Sequence, residues 1–356
     1  MNREIVIVTG SMARGGAEGV IAQVSFGLAE KGWTIHIIGL LFNEVGYKLH
    51  PRVDFRCLAD RQRSTSSDSL KLVLRLRRTI KEINPDVVVS FMAKMNIITR
   101  YALVGTGIRF IASERNDPSV GRGYIYRRLV EKAYSAADTV VFQTSRAKNY
   151  FPTNIQAKSA IIPNPVQIMP EAYPIPKNRI VSVGRLSRQK NHKLLIDAYV
   201  EILKFYPTFE LDIYGAGELE GEIRNYIHDK ALDNMIHLKG KVDNIPDHIK
   251  DAYMFVHTSN YEGFSNALLE ALAIGLPCIS TNCAGADDAI LDGVNGLLVP
   301  VGDCEALIKA MKKLLSDIHF ARDLGKNARK SAERYSATYI VDQWEEIING
   351  SIGGKD

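Results

Sequence analysis

The sequence is poor in cysteine and has no long apolar run, and these two features exclude several classes of protein. Its four cysteines, Cys57, Cys278, Cys283 and Cys304, match neither zinc-ribbon nor redox spacing, so we expect reduced thiols rather than a disulfide framework. No stretch of about 18 or more uncharged apolar residues is present, so we expect no membrane-spanning helix. The N-terminal segment runs into a strand pattern without a signal-peptide cleavage motif, which predicts a cytoplasmic protein.

The composition is that of an ordinary globular protein, large enough for more than one domain. Hydrophobic residues make up 46% of the chain and charged residues 24%, which excludes a disordered chain, a collagen-like fibre and a long coiled coil. Single cores are usually built from about 100–200 residues. The 356 residues therefore indicate roughly two domains of similar size.

Positive charge is concentrated in the first half of the chain. Residues 1–165 contain 24 lysines and arginines against 13 acidic residues, whereas residues 166–356 contain 21 against 27. Such asymmetry is typical of a protein in which one domain faces an anionic surface and the other does not. No recognisable nucleic-acid-binding module accompanies the charge, so we expect contact with an anionic membrane and not with nucleic acid.

Two basic segments, residues 69–83 and 122–132, account for much of this charge. In the first, Leu72, Leu76 and Ile80 recur at helical spacing with cations around them. Two interpretations are open: an amphipathic helix lying in a membrane interface, or a surface helix packing its leucine stripe on its own sheet. The cations expected at a membrane are Arg75, Arg77, Arg78, Arg127 and Arg128.

Short apolar runs alternate with helical patterns along the whole chain. Strands are predicted at residues 4–9, 34–40, 86–91, 110–113 and 139–143, and then at residues 179–183, 210–214, 236–238, 254–258 and 277–280. Continuous apolar strands with helices between them, such as residues 17–31, indicate parallel sheets covered on both faces. The predicted fold class is therefore α/β.

A proline-rich segment lies between the two halves. Prolines are frequent from Pro163 to Pro176, a composition typical of an interdomain linker. We therefore expect domains at residues 1–165 and 166–334, followed by a helix and tail at 335–356. Ligands of open α/β sheets bind at the carboxyl ends of strands, so the cleft between two such domains is the expected site.

Glycine-rich or basic turns follow several predicted strands. Gly15 and Gly16, after the first strand, allow close backbone approach, and the helix beyond them offers N–H groups to an anion. Arg185 and Lys190 lie in the loop after the first strand of the second half, where two cations suit a diphosphate. Gly215 follows the next strand in a similar turn. Each of these segments could also be a solvated loop or a plain tight turn.

The most specific pattern lies at residues 262–271, EGFSNALLEA. Glu262 and Glu270 are separated by seven residues, with Gly263 in a turn and a helix beginning near Ser265. Ser265 suits the N-cap of that helix, whose first N–H groups would attract a phosphate or a sugar hydroxyl. Apolar residues flank Glu270, so its carboxylate is expected to be partly buried and to bind a partner such as the vicinal diol of a ribose.

With GRLSRQKN upstream, GGAE near the N-terminus and DGVNGLLVP downstream, this segment resembles the retaining glycosyltransferases of family 4, which have the GT-B fold. The resemblance covers nearly the whole chain in the right order. It implies two Rossmann-like domains facing each other across a cleft, the first binding the acceptor and the second the nucleotide sugar. It also implies that a C-terminal helix crosses back to the first domain.

The resemblance assigns donor-binding roles residue by residue. Arg185 and Lys190 would hold the diphosphate, and Glu270 the ribose hydroxyls. Glu262 would contact the donor sugar. The other expected donor contacts are Gly15, Gly16, Gly215, Lys241, Val242, Gly263, Phe264, Ser265, Asn266 and Leu268.

The chain departs from the family pattern at two places. Many members carry a histidine in the loop after the fourth strand of the first domain, where this chain has Glu114, Arg115 and Asn116. We expect these three residues to contact the acceptor or the sugar, and Glu114 is a candidate base or nucleophile. The second departure is Asp288, where members commonly have glutamate.

The expected chemistry follows from the leaving group. Loss of a nucleoside diphosphate builds negative charge on its β-phosphate, which Arg185, Lys190 and the helix after Gly263 would stabilise. The sequence contains no Asp-x-Asp motif, so we expect metal-independent transfer without a cofactor. Glu262 and Glu114 complete the expected catalytic group.

The expected reaction is retaining transfer of a hexose or N-acetylhexosamine from a nucleotide sugar, UDP-linked by the resemblance. The acceptor would be a growing bacterial cell-surface glycan linked to polyprenyl pyrophosphate, at the inner face of the cytoplasmic membrane. Two alternatives keep the same fold: a sugar-nucleotide epimerase or hydrolase, and a non-catalytic sugar-nucleotide-binding subunit. A nicotinamide-dependent oxidoreductase fits poorly, because the first glycine turn does not match G-x-G-x-x-G.

Overall fold

A computed structural model describes residues 3–59, 68–121, 123–169 and 176–350. Three features named above fall partly outside the described residues: positions 170–175 of the proline-rich segment, Arg122 of the second basic segment, and positions 351–356 of the expected C-terminal tail. The chain forms two units, one of Met1–Pro165 with Ala337–Asp356 and the other of Val166–Ser336. The boundary between them falls inside the proline-rich segment.

The first unit is built on a parallel sheet with the strand order β3-β2-β1-β4-β5-β6-β7. Its strands are β1 (Glu4–Thr9), β2 (Thr34–Gly39), β3 (Val53–Cys57), β4 (Val87–Phe91), β5 (Arg109–Ser113), β6 (Thr139–Phe142) and β7 (Ser159–Ile161). Its helices are α1 (Gly16–Glu30), α2 (Asp68–Ile83), α3 (Ala93–Leu103), α4 (Tyr124–Ala136), α5 (Ser145–Asn149), α6 (Thr153–Gln156) and, from the end of the chain, α14 (Ala337–Asn349).

Five of these strands confirm the prediction, and the two edge strands were not predicted. The edge strand β3 alternates buried and exposed positions, and β7 has only three residues. Strands that are buried on both faces form continuous apolar runs in the sequence, and these two edge strands do not.

Both faces of this sheet are covered by helices. Alternate side chains of a strand point to opposite faces, so Ile5 and Ile7 of β1 pack with α1 and α14, and Val6 and Val8 pack with the helices α2 to α4. This alternation of two buried sets explains why the strand reads as one continuous apolar run. The α/β prediction is confirmed.

The last helix, α14, packs tightly on α1. A Cβ on Gly27 of α1 would lie 2.5 Å from Val341, so glycine permits the close approach of the two helices. The indole of Trp344 is buried and stacks on Phe91 with ring centroids 5.5 Å apart. A 3₁₀ turn at Glu333–Tyr335 precedes α14 and belongs to the second unit.

The structure decides between the two interpretations of the first basic segment. Leu72, Leu76 and Ile80 of α2 are buried in the core of the first unit. The leucine stripe therefore packs on its own sheet, and the interpretation that it lies in a membrane interface is wrong. Across the helices that the structure describes, none is both long and apolar enough to cross a bilayer.

The second unit is built on a parallel sheet with the strand order β10-β9-β8-β11-β12-β13. Its strands are β8 (Arg179–Val183), β9 (Glu210–Tyr214), β10 (Ile236–Gly240), β11 (Met254–His257), β12 (Cys278–Thr281) and β13 (Leu297–Val299). Its helices are α7 (His192–Leu203), α8 (Glu220–Asp229), α9 (Ile245–Ile249), α10 (Asn266–Ile274), α11 (Ala286–Ala289), α12 (Cys304–Ser316) and α13 (Ile318–Ala332). The edge strand β13 was not predicted; the other five confirm the prediction.

Candidate functional site

The polar residues singled out in the second half follow four neighbouring strands. In the order β10-β9-β8-β11, the chain leaves each parallel strand at the same edge of the sheet. The loops after them, residues 241–244, 215–219, 184–191 and 258–265, therefore lie side by side. This edge brings together the predicted donor-binding residues of the second unit.

Hydrogen bonds tie the loop after β8 to the loop after β11. The backbone N–H of Asn260 donates to the Gln189 carbonyl at 2.8 Å, and its side-chain amide donates to the Arg188 carbonyl at 2.9 Å. The Thr258 hydroxyl donates to the Lys190 carbonyl at 3.0 Å. These bonds fix the backbone that carries Lys190 relative to the one that carries Glu262.

A buried carboxylate, Glu262, is the electrostatic centre of this edge. It forms an ion pair with Lys190, and its Oε1 accepts a hydrogen bond from the Ser259 hydroxyl at 2.7 Å. Burial opposes ionisation, but the Lys190 charge and the hydrogen bonds from His257 and Lys190 outweigh it and lower the pKa of Glu262 to about 2. Glu262 is therefore a carboxylate at neutral pH, suited to accept hydrogen bonds from hydroxyl groups.

Two glycines at this edge permit close backbone approach. Gly215 has φ of +138°, and a Cβ there would lie 2.0 Å from the Gly184 carbonyl oxygen. Gly285 has φ of +82°, and a Cβ there would lie 2.6 Å from the Gly263 carbonyl oxygen. Gly215 thus allows the turn after β9 to pack against the loop that begins at Gly184. The sequence alone did not distinguish this packing role from a contact with the donor.

Helix α10 begins where the sequence predicted. Ser265 is its N-cap and accepts a hydrogen bond from the Leu268 N–H at 3.4 Å, while Phe264 before it is buried against Tyr335. The positive end of the helix dipole consequently lies next to Gly263. A phosphate or a polarised sugar hydroxyl would be stabilised there.

The second acidic residue, Glu270, has a different environment. It lies partly buried on α10 between Leu269 and Ala271, and burial raises its pKa to about 7. Within the described part of the chain, no side chain forms a hydrogen bond or an ion pair with its carboxylate. The expected partial burial is confirmed, and the carboxylate can accept hydrogen bonds from a ligand.

The cation Arg185 and the segment after β10 complete this edge. Arg185 is exposed directly after β8 and Gly184, and among the described residues no group pairs with its guanidinium. Lys241 is exposed and Val242 half-buried in the loop after β10. The edge thus presents an available guanidinium beside the paired Lys190.

The remaining predicted residues belong to the first unit. Gly15 caps α1 in an extended conformation, its carbonyl accepts a hydrogen bond from the Tyr47 hydroxyl at 2.7 Å, and Gly16 starts the helix. A Cβ on Gly15 would lie 2.3 Å from Glu18 Oε2. A side chain at position 15 would therefore displace the Glu18 carboxylate from its place over the backbone.

The loop after β5 is organised around Glu114, which is only 1% exposed. Its Oε1 accepts hydrogen bonds from the backbone N–H groups of Arg115 at 3.0 Å and Asn116 at 3.2 Å. Its Oε2 accepts from the Tyr134 hydroxyl at 2.8 Å. Both oxygens are thus engaged within this unit, an arrangement that suits a residue holding the loop.

Arg115 is buried in an unusual place for an arginine. Its guanidinium lies over the rings of Phe91, at 5.0 Å, and Trp344, at 5.5 Å, and donates to Asn164 Oδ1 at 3.2 Å. Burial lowers the pKa of Arg115 to about 9, with the Glu114 charge opposing the shift. The guanidinium stays protonated at neutral pH and links the loop after β5 to α14.

Replacing Glu114 with glutamine tests whether this residue acts in catalysis. One hydrogen-bond acceptor is lost, so we expect a loss of about 1–3 kcal/mol in the free energy of unfolding. Turnover of the folded enzyme should stay within about tenfold of wild type. Thermal denaturation and steady-state rates measure the two effects, and Tyr134→Phe should reproduce the loss of stability. A fall of turnover by about a thousandfold with stability unchanged would instead identify Glu114 as the base or nucleophile.

Two residues that contact this machinery, His257 and Ser259, were not predicted from the sequence. Both were read as the end of the strand and the start of its loop. A histidine at the carboxyl end of an otherwise apolar central strand was the available signal. Asp288, the second departure from the family pattern, contributes its backbone carbonyl, which accepts hydrogen bonds from Arg334 at 2.7 Å and from Tyr335 at 2.9 Å.

Comparison with known proteins gives consistent matches over nearly the whole chain. The family model of glycosyl transferases group 1 matches residues 167–331, and the model of Glycosyltransferase Family 4 matches residues 14–168. A Campylobacter jejuni relative described as GalNAc-alpha-(1->4)-GalNAc-alpha-(1->3)-diNAcBac-PP-undecaprenol alpha-1,4-N-acetyl-D-galactosaminyltransferase is 26% identical over 97% of this chain and 98% of its own.

Solved structures agree on the fold. Sucrose-phosphate synthase of Thermosynechococcus elongatus has a TM-score of 0.85 at 17% identity, over 98% of each chain. HepE of Anabaena in complex with UDP-glucose has a TM-score of 0.82 at 18% identity, over 98% of this chain and 99% of its own. At such identities the likeness shows the fold, and chemistry has to be argued from the residues.

Proposed function

Because the chain belongs to the family 4 glycosyltransferases of the GT-B fold, with a group 1 domain in its second half, we propose a specific reaction for it. It transfers a hexose or N-acetylhexosamine from a UDP-sugar to a lipid-linked bacterial glycan, with retention of configuration and without a metal. The group 1 match contains Arg185, Lys190, Glu262 and Glu270. The first three lie in neighbouring loops at one sheet edge, and Glu270 lies on the helix that begins there; this arrangement is the observation that carries the proposal.

The residues at this edge fit the parts of a nucleotide sugar. Arg185 and Lys190 carry the positive charge that a diphosphate requires. Glu270 accepts hydrogen bonds from the two ribose hydroxyls, for which its carboxylate is suited in the ionised form, which predominates above about pH 7. Glu262, held by Lys190, accepts hydrogen bonds from hydroxyls of the donor sugar. Lys241 and Val242, in the loop after β10, are the residues that would contact the base.

Departure of UDP leaves negative charge on the β-phosphate while the sugar develops oxocarbenium character. Arg185, Lys190 and the N-terminus of α10 stabilise that charge from fixed positions, which costs no reorganisation when the bond breaks. These groups do the work that a divalent cation does in other transferases. Attack from the face of the departing phosphate, with that phosphate taking the acceptor's proton, retains the configuration.

Thermal denaturation with nucleotides tests the proposed donor class. The purified protein is heated with UDP, GDP, ADP and their hexose and N-acetylhexosamine conjugates, with and without EDTA. A ligand at 100 times its Kd stabilises the folded state by about 2.7 kcal/mol, so a clear rise in Tm is expected with UDP and its sugars. The rise should be unaffected by EDTA. A response confined to GDP or ADP would correct the donor, and a response abolished by EDTA would overturn metal independence.

The acceptor class rests on the relatives, since the C. jejuni protein is named for a diphospho-undecaprenol substrate. A glycan on such a lipid is held at a membrane surface. Release of the free sugar without any acceptor, at the full turnover rate, would instead favour the hydrolase of the same fold. Transfer to a polyprenyl-pyrophosphate glycan, with the product's anomeric configuration read by NMR, distinguishes the two.

The helices α2, α3 and α4 of the first unit offer a surface for that membrane. Helix α3 contacts both of the others, so the three lie side by side. Leu70 and Leu74 on α2 are 68% and 59% exposed, and Tyr124 and Ile125 on α4 are 67% and 77% exposed. The same two helices carry exposed cations at Lys71, Arg78, Lys81, Arg128 and Lys132. Arg127 is half-buried and pairs with Glu131, and Arg75 and Arg77 donate to backbone carbonyls of the first unit. Exposed apolar side chains among cations suit an anionic bilayer interface.

Flotation with lipid vesicles measures this association. We expect the protein to float at low salt with phosphatidylcholine vesicles containing phosphatidylglycerol, and to stay behind with phosphatidylcholine alone. Each basic residue near the membrane surface contributes on the order of 1 kcal/mol to binding. This attraction is screened by salt, so high salt should release the protein from the vesicles. The double variant Leu70→Ser and Leu74→Ser should bind at least tenfold more weakly, because two apolar contacts are lost. Leu291→Ser, a change at an exposed leucine of the second unit, serves as the control. Equal flotation of the wild type and the double variant would contradict this docking surface.

A further inference from the structure

A buried histidine lies behind Glu262, where the proposed reaction does not use it. His257 is the last residue of β11 and is 2% exposed. Its Nδ1 lies 3.1 Å from the Ser280 hydroxyl oxygen on β12, and its Nε2 lies 3.0 Å from the Ser259 hydroxyl oxygen. Ser259 in turn donates to Glu262 Oε1 at 2.7 Å. The four residues form a continuous chain of hydrogen bonds from the sheet to the carboxylate.

The direction of these bonds follows from the number of available protons. Burial lowers the pKa of His257, although the Glu262 carboxylate, whose Oε1 lies 3.5 Å from Nε2, opposes the shift. The imidazole is therefore neutral and has one N–H, and the Ser259 oxygen is nearer to Nε2 than Glu262 is. The Glu262 carboxylate only accepts, so the single Ser259 proton goes to it. The Ser259 oxygen then accepts the proton of Nε2, and Nδ1 accepts from Ser280. The Ser280 oxygen also lies 3.0 Å from the Thr281 carbonyl oxygen. If the Ser280 hydroxyl donated to that carbonyl instead, lone pairs of the Ser280 oxygen and of His257 Nδ1 would face each other.

We propose that His257 is a positioning residue, which through Ser259 holds the Glu262 carboxylate in the orientation that receives the donor sugar. The inference rests on the proposed function. Lys190 and Ser259 both bind Oε1, whereas within the described residues Oε2 has one hydrogen bond, a long one of 3.3 Å from the Gln189 amide. The relay therefore turns Oε1 toward the protein and leaves Oε2 for a hydroxyl of the sugar. His257 itself touches no substrate.

Three variants separate this role from simple packing. In His257→Gln the terminal amide can occupy the place of Nε2–H and donate to Ser259. In His257→Asn the shorter amide reaches only the position of Nδ1, so the donor to Ser259 is lost. Ser259→Ala removes the link directly and leaves the histidine in place. Loss of packing alone would not give His257→Asn and Ser259→Ala the same defect while leaving His257→Gln unaffected.

Calorimetric titration compares UDP with UDP-glucose and with UDP-N-acetylgalactosamine. We expect all three variants to bind UDP with wild-type affinity. The sugar increases affinity over that for UDP alone, and in His257→Asn and Ser259→Ala this increase should be about tenfold smaller than in wild type. A tenfold change corresponds to the loss of about one hydrogen bond to a charged group. His257→Gln should retain that additional affinity. The double variant His257→Asn with Ser259→Ala should be no weaker than either single one, because both interrupt one relay.

The outcomes separate this inference from the proposed function. Wild-type protein that binds no uridine nucleotide would overturn both. Wild-type protein that binds UDP, but gains nothing from either sugar, would keep the nucleotide site and overturn the role of His257. Equal loss of UDP and UDP-sugar affinity in His257→Asn, or failure of His257→Gln to restore sugar affinity, would also overturn it.

Discussion

Glu270→Gln should raise the stability of the free protein at about pH 8 and at the same time weaken UDP binding at least tenfold. Burial raises the pKa of Glu270 from 4.5 to about 7, so ionisation of this carboxylate destabilises the folded state by about 3 kcal/mol. Glutamine has no charge to bury, and the variant recovers much of that energy. The same change removes the carboxylate that accepts the two ribose hydroxyls, and hydrogen bonds to a charged group contribute about 1.5–3 kcal/mol each.

The pH dependence of both effects follows from the direction of the shift. The cost to stability is absent below about pH 4.5, grows as pH rises to about 7, and is complete above it, since the unfolded chain ionises first. The Tm difference between Glu270→Gln and wild type should grow over this range. UDP binds the ionised form, so the ratio of wild-type to variant affinity should increase about tenfold between about pH 6 and 8. Taking the ratio cancels titration of the phosphates.

A Glu270→Gln protein that is no more stable at alkaline pH, yet binds UDP normally, would contradict both the buried charge and the ribose contact. Glu222→Gln is a suitable control. Glu222 lies on the surface of the same unit and pairs with Lys193 at 2.6 Å, and this pairing lowers its pKa. Its replacement should change neither UDP affinity nor its pH dependence.

Arg185→Met should reduce the transfer rate by about a hundredfold to a thousandfold while leaving Tm unchanged. The exposed guanidinium forms no ion pair or hydrogen bond within the described residues, so its removal breaks no contact of the folded protein. In the reaction it stabilises charge that develops on the leaving diphosphate, and loss of one such group costs about 2.7–4 kcal/mol in the transition state. The effect should appear mainly in kcat, with a smaller effect on UDP affinity.

Arg188→Met is the matched control for this variant. Arg188 is exposed in the same loop, three residues further on. Its backbone carbonyl accepts a hydrogen bond from Asn260, and its charge acts weakly on the exposed Glu222. Both variants lose one positive charge from this loop. Arg188 is not among the residues assigned to the diphosphate, so its replacement should leave kcat within about twofold of wild type. Similar losses of kcat in the two proteins would show that the loop contributes only its overall charge. Steady-state kinetics with a UDP-sugar at saturating acceptor measures the difference.

Much of the fold was predictable because its central strands are apolar on both faces. Runs such as residues 4–9 and 254–257 carry that signal in the sequence itself. The edge strands β3, β7 and β13 lack it, since one side of an edge strand faces solvent or its run is short. The leucine stripe of α2 was ambiguous for a physical reason. Apolar side chains at helical spacing can be buried equally well in a bilayer interface and against a sheet.

The candidate site was predictable to the extent that its residues lie in local motifs. Ser265 as a cap and Glu270 as a half-buried carboxylate follow from neighbours in sequence. The relay of His257 and Ser280 joins two strands that pair side by side, and Glu114 meets Tyr134 twenty residues away. Such contacts depend on which elements the fold brings together, so local patterns in a single sequence do not predict them.

The chain crosses between its units twice, and the two crossings lie next to each other, since the Val166 N–H donates to the Tyr335 carbonyl at 2.8 Å and Val166 pairs with Ser336. The second unit is therefore an insertion within the first. Expression of residues 166–336 yields an uninterrupted fragment, whereas a chain stopped at Pro165 lacks α14 and uncovers Phe91 and Arg115. A chain that encodes the first unit alone therefore needs a short glycine linker from Pro165 to Ala337, which keeps that helix, whereas the second unit is already continuous in sequence.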